Sequence, residues 1–522
     1  MNPESLQSIA ALMQRTLEQI EALLPSPTVY EPDLNAAYHY LKSGMGASPD
    51  VVFRWIEVPV CPSGPVLMVY IEGLVDSTIV DEGIITPLLT TTIPPTRWSV
   101  TTLKTGDIIG RQHWSDILTD LAQGNTLLFV PDLSQVWSIS AKKIPQRSIS
   151  RPQTELSTRG SNDALSEVLG TQMSQVRSRF GDPHLRFHRI VLGRMQQEAV
   201  AVTYIHGLAN PALVQVSIER LHRVSIDGRF NGTVLAGLIR DHPRSIFPTI
   251  RSTGRLDATC QALLEGKVVI LVDGDPDALI APAPLIDFYR TAMDYSDAWY
   301  DVSFVRLLRI GGWAVGVYLP ALYIALTQVN TNLIPHALLI ITAGAHAGLP
   351  FPPVVEALIM VFVIEILREA ALRLPKVLSP TIGTVGAIIV GTAVVKAGIV
   401  SPQMIFVITL TALGFYTVPV YELTGSWRVV NLVMIAAAAI MGIYGVVIVT
   451  VWFIGALISL ESFGVPYFEP MAPFRAIDWR DLWIRVPWTW LRRRPTSARP
   501  MRSRNIGPSV TVPPPNLKRR RL

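Results

Sequence analysis

A change of character near residue 303 constrains this chain more than any other feature. Before it, charged and apolar residues are interspersed as in a soluble protein of mixed α/β type. From Ser303 to about Phe463, long apolar runs follow one another with few charges between them. Crossing the hydrocarbon core of a bilayer takes a helix of about 20 mostly apolar residues. The expected architecture is an α/β soluble N-terminal half made of two related subdomains, followed by an α-helical polytopic membrane domain. The mean hydropathy of +0.35 is high for a soluble protein and fits that division. A soluble part fused ahead of such helices suits sensing, gating or transport.

The soluble half reads as a duplication. Val69–Asp76 and Thr203–Asn210 both place Tyr-Ile-x-Gly-Leu at the end of an apolar run, Val66–Ile71 and Val200–Ile205. Downstream, Leu121–Gly124 precedes Thr126–Val130 as Leu263–Gly266 precedes Val268–Val272. Each pair reads as a helix ended by glycine and then a strand. Gly73 and Gly207 read as turns that need positive φ. The two subdomains are placed at about 50–145 and 185–290, and the Pro/Ser/Arg-rich stretch Ile144–Arg159 begins their connection.

Chemistry-bearing motifs are lacking. There is no GxxxxGK[ST], no GxGxxG after a strand and no GxSxG. Asp273–Asp277 reads as a solvated turn, not a cation site. His184 and His188, four apart, would share one face of a helix, but with no third ligand they read as exposed polar residues. Cys61 and Cys260 have neither a CxxC neighbour nor a histidine cluster, which argues against a disulfide framework and a zinc site. No metal, no cofactor and no enzymatic activity are expected. Met1–Leu24, with Glu4, Glu18 and Glu21, reads as an amphipathic helix and not a signal peptide, which keeps the soluble half in the cytoplasm.

In the membrane half, Ile310–Thr327 runs without a charge behind Arg306 and Arg309, with Pro320 as a kink. Ile334–Gly348 is too short to cross and leads into Pro350-Phe351-Pro352, as in a re-entrant or broken helix. Val354–Leu374 carries Glu356, Glu365, Arg368, Glu369 and Arg373, with Glu365–Arg368 at i,i+3 and Glu369–Arg373 at i,i+4. Ionisable groups are costly in lipid, so this helix either lines a water-filled path or lies at the interface. Ile382–Ile399 is rich in small residues, among them Gly383, Gly386 and Gly391, as at helix–helix contacts, and Lys396 snorkels near its end. Ile405–Val420 is a further span, and Val429–Leu460 is long enough for one tilted helix. With both termini on one side the number of spans is even; four are expected, with six as the alternative.

Charge is concentrated at the C-terminus. From Arg475 onward there are twelve Arg and one Lys against two Asp, a net of +11, which leaves −6 for the rest of a +5 chain. Such a tail reads as an anchor to anionic headgroups and a mark of the cytoplasmic side, with no nucleic-acid motif to support another partner. Trp479, Trp483, Trp488 and Trp490 interleave with arginines, as in a helix lying on a membrane surface, and Pro495 onward reads as disordered.

Several motifs together resemble the A-subunit family of bacterial spore germinant receptors, the GerA-type spore germination proteins. They are Leu319–Leu326, Pro350-Phe351-Pro352 with Glu356-Ala357-Leu358, Glu365–Ala370 with Arg373-Leu374-Pro375, Val385–Gly391 with Ala397 and Val400-Ser401-Pro402, and Ser462–Tyr467 with Pro470 and Pro473. In the soluble half Tyr70–Leu74, Thr154-Glu155, Arg159-Gly160 and Asp294-Tyr295 fit as well. The chain departs from the family at Ser161–Leu165 and at His346-Ala347-Gly348, where the family usually carries charged residues before Pro-Phe-Pro.

The resemblance implies a subunit of a nutrient receptor in the spore inner membrane, oligomerising into a nutrient-gated ion channel that triggers germination. It implies a transporter-like B subunit and a lipoprotein C subunit as partners. A paralogous channel of the stage V sporulation AF type and a non-conducting scaffold are the alternatives. Glu356, Glu365, Arg368, Glu369 and Arg373 are the pore or gating candidates. Gly383, Gly386 and Gly391 are the packing residues, and Pro350, Phe351 and Pro352 the broken-helix motif. Asp294, Tyr295, Arg306 and Arg309 form the coupling segment. The expected domains are 1–48, 49–145, 146–184, 185–302, 303–463, an interfacial segment 464–494 and a basic tail 495–522.

Overall fold

The computed structural model describes residues 28–143, 163–373 and 394–504, apart from positions 47, 62, 94–102, 104, 106, 132, 488, 489 and 492. The helix expected over 1–24, the connection from 144 to 159, and Gly383, Gly386 and Gly391 lie outside the described residues. The chain divides into two compact units, residues 1–148 with 170–189, and residues 149–169 with 190–522.

In the first unit, helix α1 (Leu34–Gly44) starts at Asp33, whose carboxylate accepts from the N–H groups of Asn35 and Ala36 at 2.9 and 3.1 Å. Five strands follow: β1 (Val51–Ile56), β2 (Val66–Ile71), β3 (Ile108–Arg111), β4 (Thr126–Phe129) and β5 (Val136–Ile139). They form one sheet in the order β1-β2-β4-β5-β3 with every neighbour antiparallel. A π-helical turn, Ile79–Ile85, leads into α2 (Thr86–Thr90), and α3 (Trp114–Ala122) precedes β4. Side chains alternate across a strand, and β2 uses both faces. Leu67, Val69 and Ile71 pack with Leu41, Trp114 and Ile117, while Val66 and Met68 pack with Val80, Ile84 and Leu88. That is why β2 reads as an unbroken apolar run. In α4 (Leu169–Phe180) the fully buried Arg177 forks onto Asp50 at 2.9 and 3.1 Å and donates to the Leu185 carbonyl at 2.7 Å.

The second sheet contains β6 (Leu185–Leu192), β7 (Glu198–Ile205), β8 (Arg251–Thr253), β9 (Val268–Val272) and β10 (Ala278–Ala281). Its order, β6-β7-β9-β10-β8, repeats that of the first sheet position for position. The turns match too: Gly73 has φ +83° and Gly207 φ +72°, a region that glycine enters without steric cost. The expected pair of related α/β subdomains is therefore the observed fold. Helices α5 (Pro211–His222), α6 (Gly232–Ile239) and α7 (Leu256–Leu264) complete this part. His184 and His188 are both exposed, as expected, but His188 lies inside β6, so its spacing from His184 is extended and not helical; Leu185 and Phe187 are buried on one face of the strand, and the phase shifts before Ile190 and Leu192.

The helical part comprises α8 (Trp299–Ile324, continuing as a π turn to Val329), α9 (His336–His346), α10 (Pro353–Arg373), α11 (Pro402–Tyr416), α12 (Tyr421–Met441) and α13 (Ile443–Ser459). Trp299–Val329 and Tyr421–Met441 are long and apolar enough to cross a membrane; α9, α11 and α13 are apolar but shorter. Val429–Leu460 is not one tilted helix. It breaks at Gly442, with φ +61°, where the Asn330 side chain accepts from Ile443 N–H at 2.9 Å. A Cβ on Gly445 would lie 2.2 Å from the Ala437 carbonyl, so α13 turns back closely on α12. Phe247 meets both Trp427 and Phe453, at ring distances of 5.2 and 6.4 Å, as an antiparallel pair requires.

The C-terminal segment also differs from expectation. Among the described residues, 464–494 forms no α-helix; it holds a two-residue strand, Val465–Pro466, paired with Glu461–Ser462, and a 3₁₀ turn at Asp478–Asp481. Its prolines interrupt any helix, and Arg485 is buried, not spread on a surface. The expected disorder from Pro495 does not hold up to Arg504. Arg494 Nε donates to the Leu264 carbonyl at 2.7 Å and Met501 N–H to the Leu208 carbonyl at 2.9 Å, so this strip satisfies backbone acceptors at the ends of α7 and the Gly207 turn.

Candidate functional site

The base of α8 holds a buried ion network. A 3₁₀ turn, Ala292–Tyr295, is closed by a capping box in which the Thr291 hydroxyl donates to Asp294 Oδ1 at 2.7 Å. This fixes Asp294 with Oδ2 toward α8, where Arg306 Nε and Arg309 Nη1 donate to it at 3.1 and 2.9 Å. Asp481, from the exit segment, accepts from Arg306 Nη1 at 2.7 Å through Oδ1 and from the Tyr295 hydroxyl at 2.7 Å through Oδ2. Arg290 reaches the Asp481 carbonyl at 2.6 Å. Arg485 donates to the Asp297 carbonyl at 2.6 Å, and its own backbone N–H donates to the Ser303 hydroxyl at 3.1 Å.

Four arginines thus surround two carboxylates. Burial pushes the Asp294 carboxyl up, but Arg309 and Arg306 outweigh it and hold it below the usual range. Asp481 behaves alike under burial on one side and Arg290 and Arg306 on the other. Burial pushes the Tyr295 phenol above its ordinary value. Beside this group, Lys267 bridges Glu265 and Asp287, each at 2.7 Å. The Ser462 hydroxyl accepts from Ala283 N–H at 3.0 Å and donates to the Thr249 carbonyl at 2.6 Å, and Phe463 lies under Arg220, 4.3 Å from guanidinium carbon to ring centre. The second sheet, the start of α8 and the exit from α13 are one connected structure.

Two further sites lie on α10. Near its start, right after Pro350-Phe351-Pro352, Glu356 is fully buried. Its Oε2 accepts from both the N–H and the hydroxyl of Ser401 at 2.9 Å. Ser401 caps α11, so the carboxylate faces a helix N-terminus, where negative charge is favoured. His346, the last residue of α9, places Nε2 3.6 Å from Glu356 Oε1. Nine residues on, Glu365 Oε2 binds Arg368 and, at 2.9 Å, Arg428 of α12. Arg368 also donates to the Tyr421 hydroxyl at 2.9 Å. A cavity of about 340 Å³ opens between α10, α11 and α12, with Glu365 and Arg428 on its wall and apolar residues such as Val361, Ile408 and Phe415 around them.

Asn431 also lines this cavity and ties it to α8. Pro320 has no N–H, which frees the Gly316 carbonyl four residues back. The Asn431 amide donates to the carbonyls of Gly316 and Val317, both at 3.0 Å. The same stretch is packed closely: a Cβ on Gly414 would lie 2.3 Å from the Gly312 carbonyl.

The structure brings Asp294, Tyr295, Arg306 and Arg309 together as one group. Of the α10 candidates it separates Glu356 from the Glu365–Arg368 pair, and leaves Glu369 and Arg373 paired with each other at 2.8 Å on an exposed face. Pro350, Phe351 and Pro352 form the link between α9 and α10, and the Pro352 carbonyl accepts the first N–H groups of α10, from Val355 and Glu356. Sequence reasoning missed His346, Ser401, Tyr421, Arg428, Asn431, Asp481 and Arg485 as partners. The signals were faint. Ser401-Pro402 is a helix-start pattern, Pro320 demands an outside donor, and Asp481 is one of only two acidic residues in a basic tail.

Two copies of an antiparallel α/β fold, the second joined through a buried ion network to a set of apolar helices, define the class of protein. The description "Bacillus/Clostridium GerA spore germination protein" matches residues 39–497, and the chain belongs to this GerA spore germination protein family, whose members are germinant receptor A-subunit-like. It is similar to spore germination protein B1 of Bacillus subtilis (strain 168), 36% identical over 471 residues, 89% of this chain and 97% of that one. Spore germination protein KA of the same organism is 34% identical over 476 residues, 90% of this chain and 88% of its own. An uncharacterized membrane protein of that organism, YfkQ, is 32% identical over 450 residues, 85% and 87% of the two chains. The crystal structure of the N-terminal domain of the A subunit of the Bacillus megaterium spore germinant receptor GerK3 aligns with 50% of this chain and 98% of that chain, at 29% identity and a TM-score of 0.39.

Proposed function

We propose that the chain is a subunit of a nutrient germinant receptor and that it oligomerises into a nutrient-gated ion channel in the spore inner membrane. The observation that carries this reading is α10. Within an apolar helical part it holds Glu356 at zero exposure and joins Glu365 to Arg368 and Arg428. Ionisable groups in such a place are retained where they serve a path or a gate. The buried network at Asp294 and Asp481 supports a second element of the reading: movement in the second sheet reaches α8 through a stiff joint. On this reading the chain is not an enzyme. It spans the membrane several times with its sheets on the core side, and it acts with a transporter-like B subunit and a lipoprotein C subunit. An AF-type paralogous channel is the second reading, supported by the same helices; neighbouring coding regions for a transporter-like protein and a lipoprotein favour the receptor.

The test is ion flux from liposomes holding the full-length chain, alone and with a transporter-like B subunit and a lipoprotein C subunit. Current that opens with nutrient and changes selectivity in Glu365→Gln is expected. No current under any gating condition overturns the channel in favour of a scaffold. Gly386→Leu and Gly391→Leu are expected to disturb assembly, and normal oligomers with normal flux in both overturn that packing role.

A further inference from the structure

We infer that Glu356 and His346 together form a binding site for one proton, and that this proton latches α9 to the junction of α10 and α11. The inference deepens the gating role proposed for Glu356, but it stands on the geometry of the pair. His346 Nδ1 lies 2.8 Å from the Thr342 carbonyl, an atom that only accepts, so Nδ1 carries a hydrogen. In the neutral imidazole Nε2 is then a bare lone pair. It faces Glu356 Oε1 at 3.6 Å, and among the described residues neither atom has another hydrogen-bond partner. Two acceptors face each other in a buried place, where an unmatched polar group is costly. One proton taken from water resolves both: Nε2–H donates to Oε1, while Oε2 stays bound to Ser401.

The surrounding groups do not supply that proton. From α8, the Tyr323 hydroxyl turns to Gln403 Oε1 at 3.2 Å. From α11, Ser401 spends its hydroxyl hydrogen and its N–H on Oε2. On α10 itself the next ionisable residue, Glu365, lies nine positions away, about 13 Å along a helix at 1.5 Å per residue.

The proton matters to α9 in particular. None of the eleven residues of α9 is buried, so little apolar packing fixes the helix. Its end connects through Gly348, at φ +94°, which lets the chain swing before Pro350. With the proton bound, His346 holds α9 to Glu356. Without it, two lone pairs repel and α9 is released.

The test places spin labels at Ile341 of α9 and Phe406 of α11, both exposed, in the full-length chain in nanodiscs, and measures the distance distribution between about pH 5 and 8. One narrow distance is expected in acid, with a second, longer population growing as pH rises. Glu356→Gln supplies the missing N–H permanently, so its narrow distance is expected to persist at every pH. His346→Gln supplies one from the other side and is expected to match it. His346→Ala is expected to show the longer population throughout. A wild-type distribution that does not move with pH overturns the inference, as does a Glu356→Gln variant that still responds. Should one glutamine variant fail to assemble, the other makes the same test. The readout is independent of ion flux, so a silent channel and a missing latch are told apart.

Discussion

The two ends of the helical part handle buried charge in opposite ways. At the base, both oxygens of Asp294 and both of Asp481 are engaged, and what is left over is N–H capacity on arginines, such as Arg306 Nη2 and Arg290 Nε. At the other end Glu356 is more deeply buried, yet one of its oxygens and the nearest imidazole nitrogen lack partners among the described residues. The first arrangement has its carboxylates saturated and resists change. The second is one hydrogen short and can exist in two states. Buried charge by itself therefore does not mark a switch; an incomplete set of donors does.

The largest effect that would break this comparison is at Asp481. Asp481→Asn keeps the volume and removes the charge that Arg306, Arg290 and the Tyr295 hydroxyl share. Breaking one side of a buried ion group typically costs about 3–5 kcal/mol. A large fall in the unfolding midpoint of the full-length protein is expected, and a change within error would show that the base is not a staple. The pH dependence has a definite sign. Asp294 and Asp481 have folded pKa values held below the usual carboxylate range by their arginines, against burial. Their contribution is present above the unfolded carboxylate value and is lost as pH falls through the lower folded values. Acid titration of wild type and Asp481→Asn should therefore converge at the acid end.

Much of this was legible in the sequence, for reasons that differ by element. The duplication showed because strands β2, β4, β7 and β9 are buried on both faces and read as apolar runs flanked by turn glycines, Gly73 and Gly207 after β2 and β7 and Gly124 and Gly266 before β4 and β9. The coupling group was half visible: Asp294 and Arg306 lie twelve residues apart, while Asp481 arrives from 175 residues beyond Arg306. Long-range partners of this kind leave no periodicity. The break at Gly442 was hidden because apolar residues continue on both sides, and hydropathy does not distinguish one long helix from two that fold back. The buried role of Arg485 was masked by its company, since a Trp/Arg-rich stretch has the composition of an interfacial helix whatever its backbone does.

A smaller effect sharpens the comparison midway along α8. Asn431→Leu removes the amide that donates to the Gly316 carbonyl, which Pro320 leaves open, and to the neighbouring Val317 carbonyl. Side-chain hydrogen bonds between membrane helices average about 0.6 kcal/mol and reach about 1.7 kcal/mol. A loss of about 1–2 kcal/mol is expected. Pro320→Ala restores an N–H to Gly316, so the double variant should recover most of that loss; additive effects would show that Asn431 does not serve the kink.

The smallest effect is expected at the other end of α10. Glu369 and Arg373 have the spacing and the charge of a functional pair, as Glu365 and Arg368 do. Their environments differ: the Arg373 and Glu369 side chains are 80% and 56% exposed, whereas Glu365 is shared with Arg428 of another helix. An exposed i,i+4 pair contributes about 0.3–0.5 kcal/mol. Arg373→Gln should therefore leave the unfolding midpoint nearly unchanged, while Arg428→Gln, which strips Glu365 of its link to α12, should lower it measurably. Equal effects of the two substitutions would mean that charge along α10, and not the joining of helices by Glu365, is what the helix requires.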